Sequence, residues 1–359
     1  MTRESYSIAV LPGDGIGREV MAASLDVLHA CGKRMGRRFQ TQQHPAGAQH
    51  YVDSGESLPD STLDACRAAD AILFGAMGLP HVRNTDGTEI IPQLDIRFAL
   101  DLYAGVRPIR SWPGLPSPLS HARAGEIDLV LIRESTEGLF YARGRGVIEN
   151  DAAFDTMKIT RAGTARVCDF AFELARQRKA QGRRGHVTNV DKANVFTSMA
   201  FWRDVFLDRA KAYPDIRFDH AYVDAMALNL VMKPWQYDVL VTENMFGDIL
   251  SDLIAALVGG MGMAPSADIG DKYALFQPAH GTAPDIAGKG IANPSAMILS
   301  VAMMLDWLAV RHNDPALADG ARAIESALQR SFTEAGIRPP DFGGQSHTAD
   351  VVRAVTERL

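Results

Sequence analysis

Asp248 and Asp252 stand four residues apart in FGDILSDLIAAL, so a helix there carries both carboxylates on one face. Like charges at that spacing repel by roughly a few tenths of a kcal/mol on an exposed helix, and by more where solvent is scarce. A bound cation turns the repulsion into attraction, and oxygen-only ligation suits Mg²⁺ or Mn²⁺. The plainer alternatives are a solvated stripe, or acids that favour a helix N-terminus. Asp224 in HAYVDAMALNL and Lys192 in VTNVDKANVF each follow a short apolar run. Alone, the first is an ordinary N-cap and the second a surface lysine, but catalytic groups of open α/β sheets sit at such strand ends. Arg97, Arg107 and Arg133 complete the set, Arg133 standing where the apolar run LVLI stops. Guanidinium groups bind carboxylates bidentately and keep their charge, so three that converge suit a di- or tricarboxylate. Ion pairing to Asp101 or Glu134 is the competing use.

The elements that must position these residues alternate. SIAVLPGDGIGREVMAASLDVLHACG has the pattern strand, glycine turn, helix, with the strand at 7–11 and Gly32 as a helix stop. ADAILFGAMG and IDLVLIRES are further buried strands ending in polar loops. RGHVTNVDKANVF and YDVLVTENMFGDILSDLIAAL repeat strand-then-helix. The alternation predicts α/β architecture. RSWPGLPSPLS is a proline-rich, exposed connection, and the last hundred residues are mainly helical. The glycines at 13, 15 and 17 are spaced GxGxG rather than GxGxxG. No acidic residue ends a second strand where a ribose would need it, so a Rossmann site is not expected there.

The chain has 359 residues, which favours two domains. A net charge of −6 offers no basic field for nucleic acid or an anionic membrane. Cys31, Cys66 and Cys168 are too few and too scattered for a disulfide framework or a cysteine metal site, which fits a reducing compartment. The start shows no apolar segment before a cleavage site, and no uninterrupted apolar window of membrane-spanning length is visible. A cytoplasmic protein is expected.

HGTAPDIAGKGIANPSAMILSVAMML, taken with LPGDGIG, RESTEG, DKANV and ENMFGDILSD, resembles the β-decarboxylating dehydrogenase family. That family holds the isopropylmalate, isocitrate, homoisocitrate and tartrate dehydrogenases. The resemblance covers essentially the whole chain, in order, and HGTAPDIAGKGIANP is most similar to the isopropylmalate branch. It implies an α/β isopropylmalate dehydrogenase-like fold that is not Rossmann. A large cofactor-binding domain comes from residues 1–102 and 259–359, and a smaller dimerising domain from 103–258. It implies a homodimer with shared active sites. Arg97, Arg107 and Arg133 would grip a malate. Asp248 and Asp252 would hold the metal with Asp224 of the partner subunit, and Lys192, also from across the interface, would move the hydroxyl proton. Asn194 would lie beside the nicotinamide. His280 and Asn293 would contact adenine, with Gly281 giving the loop its close approach to phosphate. Asp285 and Ile286 would select NAD, a carboxylate there accepting from both ribose hydroxyls and repelling a 2′-phosphate. The implied reaction is NAD- and metal-dependent oxidative decarboxylation of a 3-substituted (2R)-malate, 3-isopropylmalate first.

Two departures from that pattern stand out. Familiar members carry a tyrosine seven residues after the arginine matching Arg133, as the acid that protonates C3. Here that position is Phe140, and Tyr141 is adjacent. On an extended segment, neighbours face opposite ways, so Tyr141 serves only if a bulge near Gly138 re-aims it; Lys192 or a water are the other donors. The specificity helix also differs: Gln93 and Leu94 replace a leucine pair, and Ile90 stands where that branch has glutamate. A glutamine there suits a polar C3 substituent, so tartrate, malate or (homo)isocitrate are the alternative substrates, and a non-catalytic relative is the alternative class.

Overall fold

A computed structural model describes residues 3–359. Runs of β-branched and aliphatic residues build one ten-stranded sheet with helices on both faces. Among the described residues the strands are β1 (Ser5–Gly13), β2 (Arg38–Gln43), β3 (Ala71–Ala76), β4 (Ala104–Arg110), β5 (Asp128–Glu134), β6 (Val147–Glu149), β7 (Ala152–Phe154), β8 (His186–Asp191), β9 (Arg217–Tyr222), β10 (Val239–Thr242), β11 (Pro265–Ile269) and β12 (Ala274–Pro278). The sheet runs β2-β1-β3-β12-β11-β4-β5-β10-β8-β9, and β6 and β7 form a separate hairpin. Both ends of the sheet are parallel. The middle is antiparallel, β11 against β12 and β4, and β4 against β5. This is the expected α/β architecture without a Rossmann order.

Strands buried on both faces read as continuous apolar runs. β3, AILFGA, is buried at every position, and so is β10, VLVT. The helix Ser295–His312 is apolar enough to cross a membrane by length and composition, but two thirds of it, 67%, is buried in the core, against β11 and β12. All three cysteines are free and buried, and burial pushes their thiols upward.

One local expectation is corrected, and two hold with an exception each. The first helix runs Gly17–Met35 and ends at Gly36, whose φ of 65° makes the left-handed cap; Gly32 lies inside it, against Phe39. The final hundred residues also carry β11 and β12, the pair that joins the two parallel ends of the sheet. In the proline-rich connection, Trp112 is buried, edge-on to Phe332 and beneath Arg110.

Candidate active site

Register places the arginines. Gly105 on β4 lies between Arg133 on β5 and Asp268 on β11. Arg107 follows two residues along, on the same face of β4. Arg97 arrives from the helix Pro92–Ala99, which starts on a proline at its first turn. All three guanidinium groups are buried. Arg97 Nε donates to Asp268 Oδ2 at 2.9 Å, and an Arg107 terminal nitrogen donates to Oδ1 at 3.1 Å. Gln277 Nε2 donates to Oδ2 at 2.9 Å. Burial alone would raise the Asp268 carboxyl, but the two arginines hold it below the usual range. Removing one member of such a buried pair typically costs roughly 3–5 kcal/mol. A Cβ on Gly105 would stand 2.8 Å from Ser135 Oγ and 3.2 Å from Asp268 Oδ1, so glycine makes room for the carboxylate.

Arg133 is held differently. Its Nε and one terminal nitrogen donate to Asn244 Oδ1 at 2.9 and 2.7 Å, and the other terminal nitrogen pairs with Asp248. Its aliphatic stem lies over Gly247, where a Cβ would come within 2.6 Å. Burial, and then the neighbouring Arg97, push Arg133 down to about 10, with Asp248 opposing. Arg97 and Arg107 share Asp268, and Arg133 lies opposite Gly105 on the adjoining strand, so the three cations gather in one place. Neither Asp101 nor Glu134 pairs with them: Asp101 takes Arg166, and Glu134 accepts from Thr136 and Glu137.

The helix Asn244–Ala256 begins on Glu243, whose carboxylate accepts from the Met245 and Phe246 amides. Asp248 and Asp252 follow on its exposed face. Burial and then the neighbouring Asp248 raise the Asp252 carboxyl. Oxygen donors of this kind fit a hard divalent ion. Among the described residues, no third acidic, histidine or cysteine ligand from the same chain joins them. Asp224 instead accepts from Lys192 Nζ at 2.7 Å, with its side chain 69% exposed, and that bond lowers its carboxyl. Asn194 is exposed nearby in sequence, on the loop after β8.

The segment after β5 is not extended. Gly138 has a φ of 72° and starts a 3₁₀ turn over Leu139–Ala142. The turn puts the Phe140 ring 5.0 Å from the Arg133 guanidinium carbon. Tyr141 goes elsewhere: Arg145 and Lys158 cover its ring at 4.0 and 4.6 Å. On the specificity helix Leu94 is buried, and Gln93 Oε1 is buried without a hydrogen-bond partner.

The loop from His280 to Asn293 is pinned to the front of the chain. Ile16 N–H donates to the Thr282 carbonyl at 2.9 Å, and Glu19 receives the Gly288 and Gly290 amides. A Cβ on Gly15, itself at φ 51°, would meet the Thr282 oxygen at 2.1 Å. The GxGxG turn is therefore a packing device for this loop. His280 Nδ1 contacts the Gly281 carbonyl at 2.9 Å, while Nε2 is buried and unpartnered; burial lowers the imidazole, keeping it neutral. Asn293 donates to Asp341 and accepts from the Ser295 amide. Gly281 and Asp285 are exposed, and Ile286 is half-buried. A neutral ring with an unused ring nitrogen, beside exposed backbone, fits an aromatic base and a ribose better than it fits a bare anion.

The sequence profile of the isocitrate/isopropylmalate dehydrogenases matches residues 7–355. The chain belongs to the isocitrate/isopropylmalate dehydrogenase family. It is accordingly a dehydrogenase. The 3-isopropylmalate dehydrogenase of Aquifex aeolicus is 41% identical, over 99% of this chain and 96% of that one. The 3-isopropylmalate/3-methylmalate dehydrogenase of Methanocaldococcus jannaschii is 39% identical, over 99% of each. The crystal structure of isocitrate dehydrogenase from Methylococcus capsulatus superposes with a TM-score of 0.86 at 38% identity, covering 98% of this chain and 99% of that one. Similarity thus spans enzymes named for different substrates, and specificity has to be argued from the site.

Within this family frame, sequence reasoning missed Asp268. It sits in PSADIGD, an apolar strand context where an unexplained acid was the available signal. It also missed Asn244, which fixes Arg133 through two bonds to one amide oxygen.

Proposed function

We propose that the protein oxidises and decarboxylates a 3-substituted (2R)-malate with NAD and Mg²⁺ or Mn²⁺, 3-isopropylmalate being the first candidate. The observation that carries this is the convergence of buried Arg97, Arg107 and Arg133 beside the acid pair Asp248 and Asp252. The three arginines bind the two carboxylates and fix the face that C2 presents. Lys192 of the partner subunit, beside its own Asp224, takes the hydroxyl proton as a neutral amine after passing its ammonium proton to solvent. The nicotinamide would supply the hydride acceptor, and a divalent ion held by Asp248 and Asp252 with Asp224 of the partner subunit would supply the charge that favours loss of the hydroxyl proton. Asn194 of the partner subunit flanks the nicotinamide. His280, Gly281 and Asn293 bind the adenosine, and Asp285 with Ile286 favours NAD.

Loss of CO₂ leaves an electron pair on C3 that needs a proton. Phe140 has none to give. Lys192, Tyr141 or a water provides it, and the position of the Tyr141 ring between Arg145 and Lys158 weighs against Tyr141. The unpartnered Gln93 oxygen favours a second reading, a hydroxylated or unbranched C3 as in tartrate or D-malate.

A homodimer with shared sites is supported by exposed apolar residues on the helices that carry the proposed metal acids, Ile249 (62%), Leu228 (64%) and Met232 (62%), and by exposed Ile148 (84%) on the β6–β7 hairpin. We place the domain division at 102/103 and 258/259, in the connections leading to β4 and β11, and the protein in the cytoplasm.

NADH formation across isopropylmalate, isocitrate, homoisocitrate, tartrate and D-malate, with and without Mn²⁺ and with CO₂ measured alongside, tests this. Metal-dependent turnover of isopropylmalate with one CO₂ per NADH is expected. Turnover confined to tartrate or malate selects the second reading, and no metal-dependent NADH from any of them overturns both.

A further inference from the structure

We propose that Asp268 is a charge selector that sets this site for substrates with two carboxylates and against those with three. The proposal rests on the arginine site described above. Asp268 is wholly buried on β11, and each of its oxygens takes one arginine. It does so economically. Among the described residues Arg97 spends only Nε on Asp268. Arg107 gives one terminal nitrogen to Asp268 and the other to the Ala267 and Val106 carbonyls. Asp268 thus offsets positive charge from behind the cluster without standing where a ligand carboxylate would lie.

The charge count follows. Arg97, Arg107 and Arg133 carry three positive charges. Asp248 and Asp252 are neutralised by a divalent ion, and Lys192 is matched by Asp224 at 2.7 Å. Asp268 is the carboxylate bonded to Arg97 and Arg107 and brings the three cations to plus two, whereas the buried Glu134 and Glu243 are taken up by backbone amides. A dianion is then balanced, and a third carboxylate is buried without a counter-charge. The neighbouring wall adds none, since Gln93, Leu94 and Ile90 are uncharged.

Asp268→Asn keeps the shape and an acceptor oxygen while removing the charge. Two measurements read it. The first is binding of inert probes, methylsuccinate against propane-1,2,3-tricarboxylate, by calorimetry with Mn²⁺ and no cofactor. The second is kcat/KM for a dicarboxylate against isocitrate. The wild type is expected to prefer the dianion in both, and Asp268→Asn to move the tricarboxylate-to-dicarboxylate ratio upward by about tenfold or more, mainly through Kd and KM. A purely supporting role lowers both ligands together and leaves the ratio unchanged, which overturns the proposal. So does a wild type that prefers the tricarboxylate, a result that needs no variant to fold. If no hydroxy acid is oxidised but the probe ratio shifts, the proposed reaction fails and the selector stands.

Discussion

At the scale of the residue, the informative position is Phe140. Its ring lies 5.0 Å from the Arg133 guanidinium carbon, beside one of the three arginines proposed to hold the substrate. If the site lacks its own acid there, Phe140→Tyr restores one, and a positioned general acid is worth roughly 10²–10⁴ in rate. We expect kcat, or the CO₂ released per NADH, to rise by roughly tenfold or more in Phe140→Tyr; an unchanged ratio at unchanged kcat means that another group already protonates C3. His280 gives a second test. Burial lowers its imidazole from the ordinary 6.5, so the ring is neutral at pH 7 and takes a proton only at lower pH than a free histidine. NAD affinity by calorimetry is expected to be flat above pH 6.5, because that already exceeds the folded value, and to weaken on the acid side. His280→Gln should abolish the acid limb, and an affinity that falls between pH 7 and 8 contradicts the assignment. The arginines were legible because strand ends and residue chemistry are local. Asp268 was not, because its partners lie 171 and 161 residues away in sequence.

At the scale of the element, glycines decide how the site closes. The turn after β1, whose GxGxG spacing does not suit a Rossmann site, is the seat for the loop that begins at His280. Gly15 touches the Thr282 carbonyl so closely that a Cβ would stand 2.1 Å away. Its positive φ adds strain for any other residue. Gly15→Ala should therefore cost roughly 1–3 kcal/mol in denaturant unfolding and push the two segments apart. The kinetic expectation is a raised KM for NAD with kcat at saturation changed less. Equal loss for Gly15→Ala in both parameters would place the turn in the reaction itself. Strand and helix alternation was readable here because apolar periodicity is a property of each segment. The 3₁₀ turn at Leu139–Ala142 was not, because Gly138 at φ 72° redirects the chain where the pattern still permits a strand.

At the scale of the molecule, ten strands must be ordered, and order is set by pairing between segments far apart in the chain. β11 and β12 slide between β3 and β4, which separates two neighbours in sequence by two strands in space. No local pattern announces that. Nor does one announce which acids share an ion. Among the described residues no third acidic, histidine or cysteine ligand of the same chain joins Asp248 and Asp252, while Asp224 and Lys192 hold each other. If each site is built from two subunits, damage on one side is repaired by a partner damaged on the other. Lys192→Ala and Asp252→Asn should each be inactive. Unfolded and refolded together in equal amounts, they form mixed dimers in half of the molecules, each with one intact site and one site broken twice. Activity should then return to about a quarter of the wild-type value, since closed two-fold symmetry allows no other arrangement. Mixing without refolding should recover less, in proportion to how slowly subunits exchange. A refolded mixture that stays as inactive as its parents would mean that all of these residues serve a single chain.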